Sequence, residues 1–127
     1  MSLRILVVDD NLTFLASVKK SFKLVPDTHL VAEAHSGVEA LALAQSLKPD
    51  LVLLDIVMPG LSGLDVAKVM QSWPCAPRVL FLSMHDNESY RLAAQTLGSL
   101  GLVSKSNFVN ELLPILADLA ASPKGVS

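Results

Sequence analysis

With 127 residues, 51% of them apolar and 17% charged, the chain has the size of one globular domain around one core and is too short for two. Ten Lys and Arg against twelve Asp and Glu leave a net charge of −2 and a pI near 5.8, so the bulk charge holds no footprint for nucleic acid. Mean hydropathy is +0.49, yet uninterrupted apolar runs such as residues 51–54 and 79–82 fall far short of the ~20 residues of a membrane span. The apolar excess belongs to a buried core.

The chain opens with Met1-Ser2-Leu3-Arg4 and an apolar run that meets the acidic pair Asp9-Asp10, a pattern foreign to secretory and mitochondrial signals. A cytoplasmic location is the expectation. The single cysteine, Cys75, can form no internal disulfide and lacks the neighbours of a zinc site or redox pair, so it reads as a loop residue.

The first apolar segment predicts a strand over residues 4–9, and Phe14, Leu15, Val18 and Phe22 then fall at helical spacing. A second strand is expected over 29–34, followed by Ser36 and Glu39 in a capping-box pattern and the stripe Ala40, Leu41 and Ala44. The third strand, 50–54, precedes the breaker Pro59-Gly60 and the stripe Leu64, Ala67 and Met70. A fourth, 78–82, leads to Tyr90, Ala93, Ala94 and Leu97, and a fifth, 101–104, to Leu112, Leu116 and Leu119. Three strands are almost wholly apolar rather than alternating, as strands covered on both faces are. The expectation is α/β, a doubly wound (βα)5 parallel sheet. Pro114 interrupts the last stripe, which predicts that the helix starts late, near Asn110, or kinks. Residues 122–127 have linker composition, so the domain is expected to span 1–121.

Ligands of an open parallel sheet sit outside the carboxyl ends of its strands, so residues there are read together. Strand one ends in Asp9-Asp10, strand three in Asp55, strand four in Ser83 and strand five in Ser104-Lys105. Three carboxylates on one rim call for a cation, and all-oxygen ligands with room for water suit Mg²⁺. One carboxylate can then act as nucleophile toward phosphorus, with Ser83 and Lys105 meeting the equatorial oxygens. Each element also has a plainer reading. Asp9-Asp10 could be a helix N-cap with a solvated neighbour, Asp55 could cap the turn at Pro59-Gly60, and Ser83 and Lys105 could be an ordinary strand end and surface lysine. Their co-occurrence at successive strand ends is what those readings explain poorly. His29, His35 and Asp86 read as surface or capping residues, whereas His85, two residues after Ser83, could line the rim.

Four blocks carry a family likeness: Ile5-Leu6-Val7-Val8-Asp9-Asp10; Pro49-Asp50-Leu51-Val52-Leu53-Leu54-Asp55-Ile56-Val57-Met58-Pro59-Gly60 with Gly63; Leu82-Ser83-Met84-His85-Asp86; and Gly98 with Gly101 and Ser104-Lys105. Over about residues 3 to 121 the chain resembles the receiver domain of bacterial two-component response regulators. The resemblance implies the CheY-like, flavodoxin-type fold with strand order 2-1-3-4-5. It implies that Asp55 accepts a phosphoryl group from a phosphohistidine on a sensor histidine kinase or phosphotransfer protein. By the same carry-over, Asp10, Asp55 and the backbone carbonyl of Val57 bind Mg²⁺, Asp9 acts through a water, and Ser83 and Lys105 contact the phosphoryl oxygens. The implied protein is a switch rather than an enzyme, with self-phosphorylation and autodephosphorylation only. Its readout would be the face of the fourth helix, fifth strand and fifth helix, a candidate homodimer surface.

Leu82-Ser83-Met84-His85-Asp86 and Lys105-Ser106-Asn107 resemble the branch of receivers that precede a C-terminal helix-turn-helix DNA-binding domain, so transcription regulation through such a domain is expected, with no DNA binding by this chain itself and no membrane partner. A stand-alone receiver or phosphorelay protein acting by protein contacts is the alternative. The sequence departs from the pattern at four places. Leu102 stands where many receivers carry Tyr or Phe, and Ser106 where many have proline, which favours a trans bond. Met84 stands where many relatives have a smaller residue, and Pro114 alters the last helix. A changed acyl-phosphate lifetime is expected. A rival from another class is a haloacid-dehalogenase-like phosphatase with Asp9 as nucleophile, but Asn11 stands where its general acid would be. A flavin-binding module lacks its glycine-rich phosphate loop, because Asn11-Leu12-Thr13 follows the first strand.

Overall fold

The computed structural model describes residues 2–84 and 88–121. Strands β1 (Leu3–Val8), β2 (Thr28–Ala34), β3 (Leu51–Asp55), β4 (Arg78–Ser83) and β5 (Leu102–Ser104) alternate with helices α1 (Leu12–Phe22), α2 (Gly37–Leu47), α3 (Gly63–Gln71), α4 (Glu88–Thr96) and α5 (Phe108–Ala121), the last entered through a 3-10 turn at Lys105–Asn107. Every strand pairing is parallel, in the order β2-β1-β3-β4-β5. The strand limits differ from the sequence expectation by a residue or so. In particular Asp9 lies just past β1 instead of closing it, while Asp55 and Ser83 are themselves the last strand residues.

The sheet is covered on both faces, and the period of two decides which side chain joins which layer. Leu6 and Val8 of β1, Val52 and Leu54 of β3 and Val79 and Phe81 of β4 pack with Ala40 and Ala44 of α2, Val66 and Met70 of α3 and Ala94 of α4. The intervening Ile5, Val7, Leu51, Leu53, Leu80 and Leu82 pack with Leu15, Val18 and Phe22 of α1 and Leu112 and Leu116 of α5. Strands β1, β3 and β4 therefore contribute both alternating sets to buried layers, which is why they read as continuous apolar runs.

Local signals set the helix starts. Asn11 caps α1 by accepting from the Phe14 amide. Ser36 caps α2 by accepting from the Glu39 amide at 3.2 Å, but the expected box does not close on itself: the Glu39 carboxylate takes the amide of His35, one residue before the cap. The reciprocal box is at α3, between Ser62 and Asp65. Helix α5 begins at Phe108 rather than near Asn110 and runs through Pro114. Pro114 is exposed, as is Asn110, whose carbonyl loses its usual intrahelical donor to the proline, while Leu112 and Leu116 on either side are fully buried. Leu102, in place of an aromatic, packs partly buried against the α2–α3–α4 layer. Cys75 is exposed in the turn before β4.

Candidate functional site

Successive strand ends deliver the site. Asp9 follows β1, Asp55 closes β3, Ser83 closes β4 and Lys105 follows β5. Asp55 is in register with Leu82, and Ser83 with Ser104, so parallel pairing alone brings these residues to one rim. Asp9, Asp55 and Ser83 are 0%, 4% and 2% exposed, whereas Asp10 stands in solvent. Ser104 shares that rim, and its hydroxyl bonds to that of Ser106 at 2.8 Å. His85 and Asp86 lie outside the described residues. His35 is on the surface between Glu33 and Glu39, 3.9 and 3.7 Å from their carboxylates.

Backbone geometry fixes the carboxylates. Asp9 Oδ1 accepts from the amide of Asn11 at 2.9 Å, and Asp55 Oδ1 from the amide of Val57 at 3.3 Å. Close packing secures the second of these loops. A Cβ on Gly63, the first residue of α3, would lie 2.1 Å from the Asp55 carbonyl oxygen, so only glycine lets α3 start against the end of β3.

Lys105 closes the arrangement. Its ammonium lies 2.6 Å from Asp9 Oδ2 and 3.1 Å from Asp55 Oδ2, with a side chain only 7% exposed. The ring of Phe14 sits 5.0 Å beneath that ammonium, and Phe108 meets Phe14 edge to face at 5.0 Å. Phe14 had shown only a helical stripe position, and the sequence carried no signal for a seat under the lysine.

One oxygen each of Asp9, Asp10 and Asp55 can be chosen so that all lie within 4.8 Å of one another. Asp9 Oδ2 is buried without a hydrogen bond; its contact with Lys105 is an ion pair outside hydrogen-bond geometry. Three carboxylates against one ammonium leave the rim short of positive charge, and an all-oxygen set with one exposed member fits a hard divalent cation that keeps part of its water. Burial pushes the Asp55 carboxyl up from 3.8 to about 6, the neighbouring Asp9 carboxylate adds to the rise, and the charge and hydrogen bond of Lys105 with the Val57 amide pull it back.

Helices on both faces of a five-stranded parallel sheet ordered 2-1-3-4-5 make this a CheY-like domain of the flavodoxin type. The chain belongs to the response regulator receiver domain family, whose pattern matches residues 5–117. It is 33% identical over 117 residues to the nitrate/nitrite response regulator protein NarL of Escherichia coli K12, covering 92% of this chain and 54% of that protein. The same figures hold for the probable transcriptional regulatory protein NarL of Mycobacterium tuberculosis. The signal receiver domain of M. tuberculosis NarL superposes with a TM-score of 0.86 at 32% identity, covering 96% of this chain and 98% of that one. The chain thus spans about half the length of these curated relatives. Family membership leaves the phosphatase and flavin readings without support. Among the described residues no helix is long and apolar enough to cross a membrane.

Proposed function

We propose that the chain is a phosphorylation-activated switch of a two-component system, acting in the cytoplasm, with Asp55 as phosphoacceptor. The observation that carries this reading is the buried Asp55 carboxylate beside the Lys105 ammonium at 3.1 Å, at the strand-end rim of a receiver domain. An Asp55 oxygen attacks phosphorus in line, the N–P bond of a donor phosphohistidine breaks, and its electron pair stays on the imidazole nitrogen, which takes up a proton. The donor is a sensor histidine kinase or a phosphotransfer protein.

Lys105 and Ser83 contact the phosphoryl oxygens, the first as a charged donor and the second as a neutral one. Asp10, Asp55 and the Val57 carbonyl would hold Mg²⁺, with Asp9 reaching it through a water. The ion supplies counter-charge for the rim and for the incoming phosphoryl oxygens. Phosphorylation adds ~1.5 to 2 negative charges at the rim, and the response biases a two-state equilibrium of the α4–β5–α5 face, where homodimerisation is one outcome.

We take residues 1–121 as the receiver unit, with 122–127 as its linker. The output we propose is transcription regulation through a C-terminal helix-turn-helix domain beyond these 127 residues, so that this chain does not itself grip DNA or membrane. The likeness to a probable transcriptional regulatory protein supports that output.

The test is intact mass of wild type, Asp55→Asn and Asp9→Asn after incubation with a small acyl phosphate, with and without Mg²⁺. A Mg²⁺-dependent gain of one phosphoryl group that disappears in Asp55→Asn is expected. A gain that survives Asp55→Asn and vanishes in Asp9→Asn moves the nucleophile to the first strand and overturns the reading.

A further inference from the structure

Glu111 lies in the first turn of α5. It is half-buried, and both of its carboxylate oxygens face the turn that carries Lys105. Oε1 accepts from the Ser104 amide at 3.1 Å, and Oε2 from the Asn107 side-chain amide at 3.3 Å. Asn110 in turn donates to Asn107 Oδ1 at 2.8 Å, and the Ser104 and Ser106 hydroxyls share their 2.8 Å bond across Lys105.

The placement matters because of where Lys105 is rooted. Strand β5 has three residues and lies at the outer edge of the sheet, so ladder bonds give its end few restraints. Lysine itself is a long flexible stem with a compact charge. The residues at −1 and +2 from Lys105 are both tied to one carboxylate of α5, while the Phe14 ring supports the ammonium from below at 5.0 Å. A group that must meet a transferring phosphoryl is sensitive to such restraint, since a misplacement of about 1 Å can cost ~10²-fold in rate.

We infer that Glu111 is a positioning residue for Lys105: by holding the Ser104 amide and the Asn107 side chain it fixes the backbone from which the lysine reaches Asp55, and thereby the rate at which Asp55 is phosphorylated. The inference rests on the proposed role of Lys105. Glu111 touches neither the carboxylate cluster nor the phosphoryl group and acts only through the turn.

The test uses the 127-residue chain with a small acyl phosphate and saturating Mg²⁺, comparing wild type, Glu111→Ala and Glu111→Gln, the first two also in a Lys105→Met background. Glu111→Ala is expected to slow phosphorylation about tenfold, with Glu111→Gln within about twofold of wild type because an acceptor for the Ser104 amide remains. In the Lys105→Met background Glu111→Ala adds no further loss, a non-additivity that a merely structural role does not produce. A second readout needs no phosphoryl transfer. Reductive methylation at Lys105, followed by peptide mass, becomes several-fold faster in Glu111→Ala and stays at the wild-type rate in Glu111→Gln, with Lys19 and Lys68 unchanged in both.

If Glu111→Ala does not fold, Asn107→Ala, which removes the Oε2 partner and the acceptor of Asn110 but leaves the bond to the Ser104 amide, carries the test and gives a smaller slowing of the same kind. Equal slowing in the Lys105 and Lys105→Met backgrounds overturns the inference, as does wild-type behaviour of Glu111→Ala in both readouts. A wild type that gains no phosphoryl group at Asp55 overturns the proposed function instead, and Lys105 methylation alone then decides whether Glu111 positions the lysine.

Discussion

The ammonium of Lys105 is closer to Asp9 than to Asp55, 2.6 Å against 3.1 Å. Asp9 Oδ2 is the one carboxylate oxygen of the rim that is buried without a hydrogen bond, so in the cation-free state the lysine serves as its counter-ion. Removing it leaves buried negative charge uncompensated. Lys105→Met is therefore expected to lose about 3 kcal/mol of stability without divalent cations and to regain much of it in excess Mg²⁺, which binds the variant more tightly than wild type once the competing ammonium is gone. Urea unfolding of both proteins with and without Mg²⁺ measures this. Equal Mg²⁺ stabilisation of the two would show that lysine and cation do not compete for the same charge.

The raised Asp55 carboxyl sets a pH dependence whose sign differs from that of a salt-bridged aspartate. Its folded pKa, about 6, lies above the ordinary 3.8, so between these values the folded protein holds a proton that the unfolded chain has released. Stability from this group falls as pH rises through that window and is lowest above about 6. Without divalent cations, Asp55→Asn is expected to be the more stable protein at pH 7.5, by on the order of 2 kcal/mol after allowance for screening, with the gap closing toward pH 4. Thermal unfolding of both proteins at pH 4.5, 6 and 7.5 in chelator tests the sign. A gap that widens on acidification would contradict it.

Gly63 carries the third expectation. A Cβ there would lie 2.1 Å from the Asp55 carbonyl oxygen, 2.8 Å from its carbon and 2.9 Å from the Ile56 Cα. All three are backbone atoms, so relief requires the start of α3 and the end of β3 to separate. Gly63→Ala is expected to destabilise by about 2–3 kcal/mol and, because Asp55 is the residue displaced, to slow phosphorylation beyond what a stability loss elsewhere produces. Unfolding and phosphorylation rate measured beside Ala67→Gly, a change in the same helix away from Asp55, separate the two effects.

These residues also show where the sequence was legible. Asp9, Asp55, Ser83 and Lys105 could be found because each follows an apolar run whose end is visible, and parallel pairing converts strand ends into one rim. Strand limits drifted by about a residue, since a strand ends where its ladder bonds end and hydropathy does not record that. Glu111 and Phe14 were missed in their roles for a different reason. Glu111 reaches back seven residues across a turn to Ser104, and Phe14 meets Lys105 across 91 positions. Neither separation has a period, so a charged residue and a stripe aromatic were all the sequence displayed. At Ser36 the residue types of a capping box were present, but the Glu39 carboxylate found the His35 amide instead, a choice between neighbouring donors that composition does not decide.

Pro114 gives a test of helix energetics separate from the rim. Of the two readings the sequence left for α5, a late start or a kink, the late start does not hold: the helix begins at Phe108 and holds the proline as its seventh residue. A proline at that depth removes the hydrogen bond to the Asn110 carbonyl and crowds it, a cost of about 3 kcal/mol in a helix interior. Two features reduce that cost: Pro114 and Asn110 are both exposed, so water reaches the released carbonyl, and proline lowers the entropy of the unfolded chain. Pro114→Ala is expected to stabilise by about 1–2 kcal/mol and to protect the amides of the turn after residue 110 in hydrogen exchange. Phosphorylation of Asp55 should stay unchanged, because Leu112 and Leu116 already anchor the helix and Glu111 lies N-terminal to the substitution. A loss of stability would show that the packing of α5 depends on the proline ring itself.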